Sequence, residues 1–232
     1  MVSMSNTRRE SSNLANIIAY ALIGAIAFVV MKIEFPIIPG VGFLKFDFSD
    51  VVITVGTFLF GAGPGIFITF IRTLISLIFS GFSLPSLVGQ LAAFLATLSF
   101  ALPFYYISRG ITVKNRKTTK GLLMPIVGLI IGIVAMTAVM SLANAFVLTP
   151  VYAITSIANV PNISSYADLY NFTVKAYLGQ LLHLPSMTAY IFGIIIPFNL
   201  LKGVINAVVV YILFESVLKS VKPFVEKRFN LK

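Results

Sequence analysis

Long apolar runs broken by short polar stretches dominate the chain, and their lengths predict membrane-spanning helices. The runs extend from about Leu14 to Ile33, Ser49 to Phe60, Pro64 to Phe79, Pro85 to Ile107, Leu122 to Leu148 and Tyr190 to Leu218. A helix needs roughly 20 apolar residues to cross a hydrocarbon core about 30 Å thick. The second and third runs are shorter, with the breaker Gly61-Ala62-Gly63-Pro64-Gly65 near their junction. They read either as one broken helix or as two short spans. Charge decides between these readings. With six spans, Arg8 and Arg9, the loop carrying Arg109, Lys114, Arg116, Lys117 and Lys120, and the tail with Lys219, Lys222, Lys227, Arg228 and Lys232 share one side. With five, the basic loop crosses to the other. The positive-inside rule favours six spans, cytoplasmic termini and a tight inner turn at Gly61–Gly65. Three outer connections remain, at about 34–48, 80–84 and 149–189. The last has the look of a surface-lying amphipathic helix near Tyr166–Leu182.

Composition turns this pattern into a class. The 232 residues are 58% hydrophobic and 10% charged, with a mean hydropathy of +0.99. Soluble domains carry about a quarter charged residues, so the chain reads as an all-α integral membrane protein with one membrane domain, 1–232. The net charge of +10 sits mostly in loops and termini and marks orientation, not nucleic-acid binding. The first apolar run is too long for a signal-peptide core and lacks a clear cleavage site.

Several chemistries are excluded. There is no cysteine, hence no disulfide, thiolate nucleophile or Cys metal site. A single histidine, His183, cannot make a His-rich site. No Gly-x-x-x-x-Gly-Lys-Ser/Thr loop is present, so the chain carries no ATPase of that type. Neither Gly-x-Ser-x-Gly nor His-Glu-x-x-His accompanies His183 and Ser186, and no catalytic constellation emerges. No cofactor and no metal are expected.

Polar groups inside spans are costly and ask for a reason. Asn199 and Lys202, spaced i and i+3, share a face early in the last run, and Asn144 lies near the outer end of the fifth. All three can meet at one level below the outer surface and offer donors and acceptors to a neutral ligand. Equally, Lys202 can snorkel and the asparagines bridge helices. Arg72 and Gln90 are also intramembrane, and a structural pairing of Arg72 with Gln90 or backbone carbonyls suffices for them. Glu215 is expected to pair with a nearby lysine. The stretch Glu34-Phe35-Pro36-Ile37-Ile38-Pro39-Gly40-Val41-Gly42-Phe43-Leu44-Lys45-Phe46-Asp47-Phe48-Ser49-Asp50 is apolar and aromatic yet lies outside. It reads as a lid over a ligand or as a re-entrant loop packed on the helices. For Asp50, and with it Asp47, a capping role at the start of the next helix is the expectation. In the first run Ala21 and Ala25 share a face that permits close helix approach, for internal packing or for docking another membrane protein.

These features resemble the substrate-binding subunits of energy-coupling-factor (ECF) vitamin transporters. The short spans, the alanine pair, the 34–50 stretch and Asn199-x-x-Lys202 carry the resemblance, which is strongest to the riboflavin-specific type. It implies a six-helix S-component fold in the bacterial cell membrane. It implies riboflavin as ligand, bound beneath the 34–48 loop by Phe43, Leu44, Lys45, Phe46, Asp47, Asn144, Asn199 and Lys202. It also implies an EcfT-type transmembrane coupling subunit docked at Ala21 and Ala25, and two cytoplasmic ATPase subunits. The alternatives are an S component for another vitamin or for FMN, and a self-sufficient secondary transporter.

Overall fold

The computed structural model describes residues 2–36 and 44–229, and side chains from 14 to 35 and 44 to 229. The architecture is almost wholly helical. Helix α1 (Val2–Met31) leads into a short antiparallel hairpin, β1 (Phe35–Pro36) with β2 (Lys45–Phe46), in the register Phe35 to Phe46 and Pro36 to Lys45. Then come α2 (Ser49–Phe60), α3 (Ala62–Ser80), α4 (Leu84–Ser108) and a continuous α5 (Thr119–Ser156). A helix over residues 166–181, α6, precedes the long α7 (Met187–Phe229). Among the described residues five helices are long and apolar enough to cross a membrane, and α2 is a shorter apolar one.

Exposure is inverted relative to a water-soluble protein. Leu22, Val29, Ile212, Phe192 and Phe224 are each more than half exposed. Asp50, Thr54, Thr57, Arg72, Thr97 and Asn206 are buried inside the bundle. Apolar side chains facing outward and polar ones inward is the arrangement a lipid solvent selects.

Helix α2 explains how so short a segment survives. Its 12 residues span about 18 Å, less than the hydrocarbon thickness. It packs against α1, α3, α4 and α7, and nine of its residues are buried. The hydroxyls of Thr54 and Thr57 donate to carbonyls one turn back, at 2.6 and 2.8 Å, so neither is stranded in the apolar interior. The turn into α3 falls on Gly61, whose φ of +104° lies in the region that favours glycine. Beyond it the helix resumes at Ala62.

Small residues set the close crossings. A Cβ on Gly132 would stand 2.6 Å from the Phe100 carbonyl oxygen, so α5 approaches α4 backbone to backbone. In α1 the corresponding residue is Gly24, where a Cβ would meet Ile71 of α3 at 2.8 Å. Between α4, α2 and α7 sits a core of Phe58, Phe104 and Phe214, with ring centroids 4.9–6.0 Å apart.

The segment after Leu148 differs from the long loop expected there. Helix α5 continues to Ser156 through a wide π-type turn at Asn144–Leu148. Pro150 cannot donate to the carbonyl four residues back, at Phe146. The Tyr166 hydroxyl donates to that carbonyl instead, at 2.9 Å, tying the start of α6 to α5. Ser165 and Asp168 form a reciprocal cap at this start. The Ser165 and Ser164 hydroxyls hold the Asp168 carboxyl below the usual carboxylate range.

The basic loop at the other end of the bundle is also structured. Arg116 is buried, donates to the Gly121 carbonyl at 2.9 Å and stacks over Tyr211 and Phe214 of α7. Glu215 pairs with Lys219 at 2.8 Å.

Candidate ligand-binding site

One cavity of about 360 Å³ opens at the end of the bundle that carries the hairpin. Its size falls within the roughly 300–1,000 Å³ of small-molecule sites. The walls come from the C-terminal portions of α1, α3 and α5, the hairpin, and the N-terminal portions of α4 and α7. Chain direction makes this possible, because helices that alternate up and down bring those ends to one level.

Strand alternation decides what the hairpin contributes. Lys45 and Asp47 line the cavity, with Leu44 beside them. Phe46 between them turns away, 1% exposed, its ring against Phe35 at 5.3 Å and Phe48 at 4.9 Å. The expectation that Phe46 covers a ligand face therefore gives way to one in which it anchors the strand that presents its neighbours. Phe43 lies outside the described residues. Lys45 pairs with Glu34 across the hairpin, and both line the cavity mouth.

The three polar residues of the long helices do come together. Asn144, Asn199 and Lys202 all line the cavity and all are buried. Each asparagine donates one N–H to the carbonyl one turn back, Asn144 to Met140 at 2.9 Å and Asn199 to Ile195 at 2.8 Å. These bonds fix the rotamers. Asn144 Oδ1 also accepts from the Thr149 hydroxyl at 3.4 Å. Apolar walls are supplied by Ala92, Ala96, Met140, Leu148 and Phe198.

Lys202 is held from below. Its ammonium lies 3.4 Å from Asp47 Oδ2 and 3.0 Å from Asp50 Oδ2. Asp50 also accepts from Thr97 and, at 3.2 Å, from Asn206. Arg72, 1% exposed, donates to the same Thr97 hydroxyl at 3.1 Å and to the Met31 sulfur at 3.4 Å. Arg72 thus pairs with neither Gln90 nor a carbonyl, as expected from sequence, but with a threonine that bridges it to Asp50. The expected capping role also shifts. The cap position of α2 is Phe48 and makes no side-chain bond. Asp47 accepts from the first helical N–H, of Ser49, at 2.8 Å, whereas Asp50 turns into the buried charge cluster. Burial alone raises the Asp47 carboxyl, but the Lys202 ammonium and the Ser49 N–H outweigh it and hold the group below the usual carboxylate range.

Gln90 and Ser76 are cavity residues that spacing did not single out as ligand groups. Both line the cavity, and neither Gln90 Oε1 nor Ser76 Oγ has a hydrogen-bond partner among the described residues. A buried polar atom left unpaired costs about 1–3 kcal/mol, so a ligand with several hydroxyls gains by meeting them. The only sequence signal for either was a polar residue inside an apolar run.

Ala21 and Ala25 stand apart from the cavity, half-buried on α1. The inward packing of α1 falls to Gly24 and to Ala27, which is fully buried. Ile18, Leu22 and Val29 on the outward side are more than half exposed. A second hollow of about 310 Å³ lies at the opposite end, in the basic loop. There Asn115 accepts from Thr112 N at 2.8 Å and donates to the Gly110 carbonyl at 3.0 Å, so its polar groups serve the loop itself.

Comparison with known proteins adds three findings. The model of the family described as "ECF transporter, substrate-specific component" matches residues 15–214. The riboflavin transporter RibU of Staphylococcus aureus (strain TCH60) is 34% identical over 219 residues, covering 94% of this chain and 98% of that protein. The riboflavin transporter FmnP of Bacillus subtilis (strain 168) is 30% identical over 213 residues, covering 91% and 94%. A solved structure described as the S component of a bacterial ECF transporter superposes with a TM-score of 0.63 at 32% identity, over 90% of this chain and 99% of that one.

Proposed function

The chain belongs to the substrate-specific components of ECF transporters, and on that premise we propose that it captures riboflavin for an uptake machine driven by other subunits. The observation that carries the reading is the cavity itself. Two rotamer-fixed amides and one ammonium converge beside apolar walls. The isoalloxazine ring matches this chemistry, with flat apolar faces and alternating donors and acceptors along one edge. In this account Asn144, Asn199 and Lys202 address the ring edge, Leu44 and the apolar helix walls cover its faces, and Lys45 and Asp47 contribute from the hairpin. The ribityl hydroxyls find the unpaired Gln90 and Ser76 groups.

The same reading assigns six spans, with α2 and α3 as two short ones and both termini in the cytoplasm. The cavity then opens outward, where the nutrient arrives, and the basic loop faces inward. Power comes from an EcfT-type coupling subunit and two cytoplasmic ATPases, in keeping with a chain that has no phosphate-binding loop of its own. The α1 face around Ala21 and Ala25 is the docking surface for the coupling subunit. No bound cofactor takes part. The runner-up readings are a different vitamin or FMN as ligand, and transport without partners.

Reconstitution separates these. Proteoliposomes holding the chain with its coupling and ATPase subunits are expected to accumulate labelled riboflavin only when ATP is enclosed on the ATPase side. Vesicles holding the chain alone are expected to show none above background. Accumulation by the chain alone, without ATP, contradicts the division of labour.

A further inference from the structure

Four charged side chains lie together under the cavity, drawn from three different stretches of the chain. Asp47, Asp50, Arg72 and Lys202 are 8%, 1%, 1% and 7% exposed. Lys202 touches both carboxylates, at 3.4 and 3.0 Å. Arg72 reaches Asp50 through the Thr97 hydroxyl, which donates to Asp50 and accepts from the guanidinium at 3.1 Å. Two positive and two negative charges therefore cancel within one buried cluster. Such balance follows from the medium, because an uncompensated charge costs several kcal/mol in a low-dielectric interior.

Balance has a consequence for the ligand, resting on the reading of the cavity as a flavin site. Lys202 is the one member of the cluster's cations that lines the cavity, and its charge is already shared between two carboxylates. Asp47, also in the wall, adds its negative charge to the field inside the cavity. A neutral flavin needs only a hydrogen bond from this ammonium. A phosphate ester brings a further charge of about −1.5 to −2 at neutral pH, and the buried cluster offers no net positive charge to receive it. Two further cations stand in the wall: Lys45, whose charge is paired with Glu34, and Lys32, exposed at the mouth with its ammonium 5.1 Å over the Phe28 ring.

We propose that Asp47 and Asp50 are specificity-determining residues: by neutralising Lys202 and Arg72 they make the site favour the uncharged flavin over its 5′-phosphate. Asp50 acts through Lys202 and Thr97 as a positioning residue and needs no contact with the ligand. Asp47 does the same from the wall. Selectivity is achieved by an element that repels the competitor, not by an extra contact to the preferred ligand.

The test is the ratio of dissociation constants for FMN and riboflavin, read by flavin fluorescence on purified full-length protein. Wild type is expected to prefer riboflavin. In Asp50→Asn and in Asp47→Asn, which leave one buried positive charge uncompensated, the ratio is expected to fall by about tenfold or more. Should Asp50→Asn fail to fold, Asp47→Asn at the cavity wall carries the test. A ratio within about twofold of wild type in folded, riboflavin-binding Asp47→Asn protein overturns the proposal. So does a ratio that responds to Lys32→Gln and not to the aspartate variants, since the phosphate would then sit at the mouth. Wild-type protein that binds neither flavin overturns the functional reading together with this inference.

Discussion

Lys202→Met is expected to weaken riboflavin binding by about a hundredfold or more. Methionine conserves volume and flexibility, so the substitution mainly removes charge and donors. Two effects then act together. The ligand loses the buried ammonium of the cavity wall. Asp47 and Asp50 are left as two buried carboxylates with Arg72 as the remaining cation of the cluster and with Thr97, Asn206 and the Ser49 N–H as hydrogen-bond partners. Breaking a buried pair by removing one partner costs about 3–5 kcal/mol, equivalent to about two to three and a half decades in an equilibrium constant. Part of that falls on the empty protein, so binding and thermal unfolding in detergent are measured on the same samples. Lys202→Arg, which keeps the charge but not the point geometry, is expected to fall between. A folded Lys202→Met protein that binds riboflavin within about threefold of wild type contradicts the role given to this residue.

Ala21→Trp or Ala25→Trp is expected to leave riboflavin affinity within about twofold of wild type and to cut uptake by the assembled transporter to a few per cent, about a twentieth or less. The physical basis is the division of α1 into faces. Gly24 and Ala27 make the tight internal contacts with the bundle. Ala21 and Ala25 are half-exposed beside Ile18, Leu22 and Val29. A bulky ring there can swing into lipid in the isolated subunit, but it blocks the close backbone approach that small residues permit to a partner helix. The contrasting substitution is Gly24→Leu. It meets Ile71 and the Ile68 carbonyl within the subunit, so its damage appears as poor folding and lost binding together. Normal uptake with tryptophan at both alanines contradicts the docking surface.

How much of this was legible beforehand differs from residue to residue. The helical class followed from hydropathy, because lipid imposes long apolar runs and leaves no other spanning structure than helix or closed barrel. Asn199 and Lys202 could be placed on one face, since i and i+3 fix direction on a helix whatever surrounds it. The bridge from Arg72 through Thr97 to Asp50 had no such local signature. Its members are 25 and 47 residues apart in sequence, and only the packing of α2 between α3 and α4 brings them together. Asp50 was read as a helix cap for the same reason. Local spacing describes a helix terminus well and says nothing about what stands behind it. Phe46 turned from ligand contact to strand anchor because the hairpin alternates, which a reading of 34–50 as an apolar loop did not include. The continuation of α5 to Ser156 was hidden by Pro150, a residue that ordinarily ends a helix. Here the Tyr166 hydroxyl satisfies the carbonyl that Pro150 leaves open.

The cavity also accounts for a feature that looked unfavourable in the sequence. A helix of 12 residues with an aspartate in its first turn is a poor membrane span by itself. Enclosed by four longer helices, it does not have to face lipid alone. Its N-terminal end carries Asp50 to the level of Lys202 and Arg72, and the hairpin immediately before it brings Asp47 and Lys45 to the same depth. The short helix is therefore what sets the floor of the site.

The most direct test of the account is a riboflavin titration of the purified full-length protein in detergent, followed by quenching of flavin fluorescence. The account predicts stoichiometric quenching with one flavin per chain and a dissociation constant well below about 1 μM. It also predicts a yellow protein when purified from riboflavin-supplied cells. Folded protein that leaves riboflavin fluorescence unchanged at micromolar concentrations contradicts it.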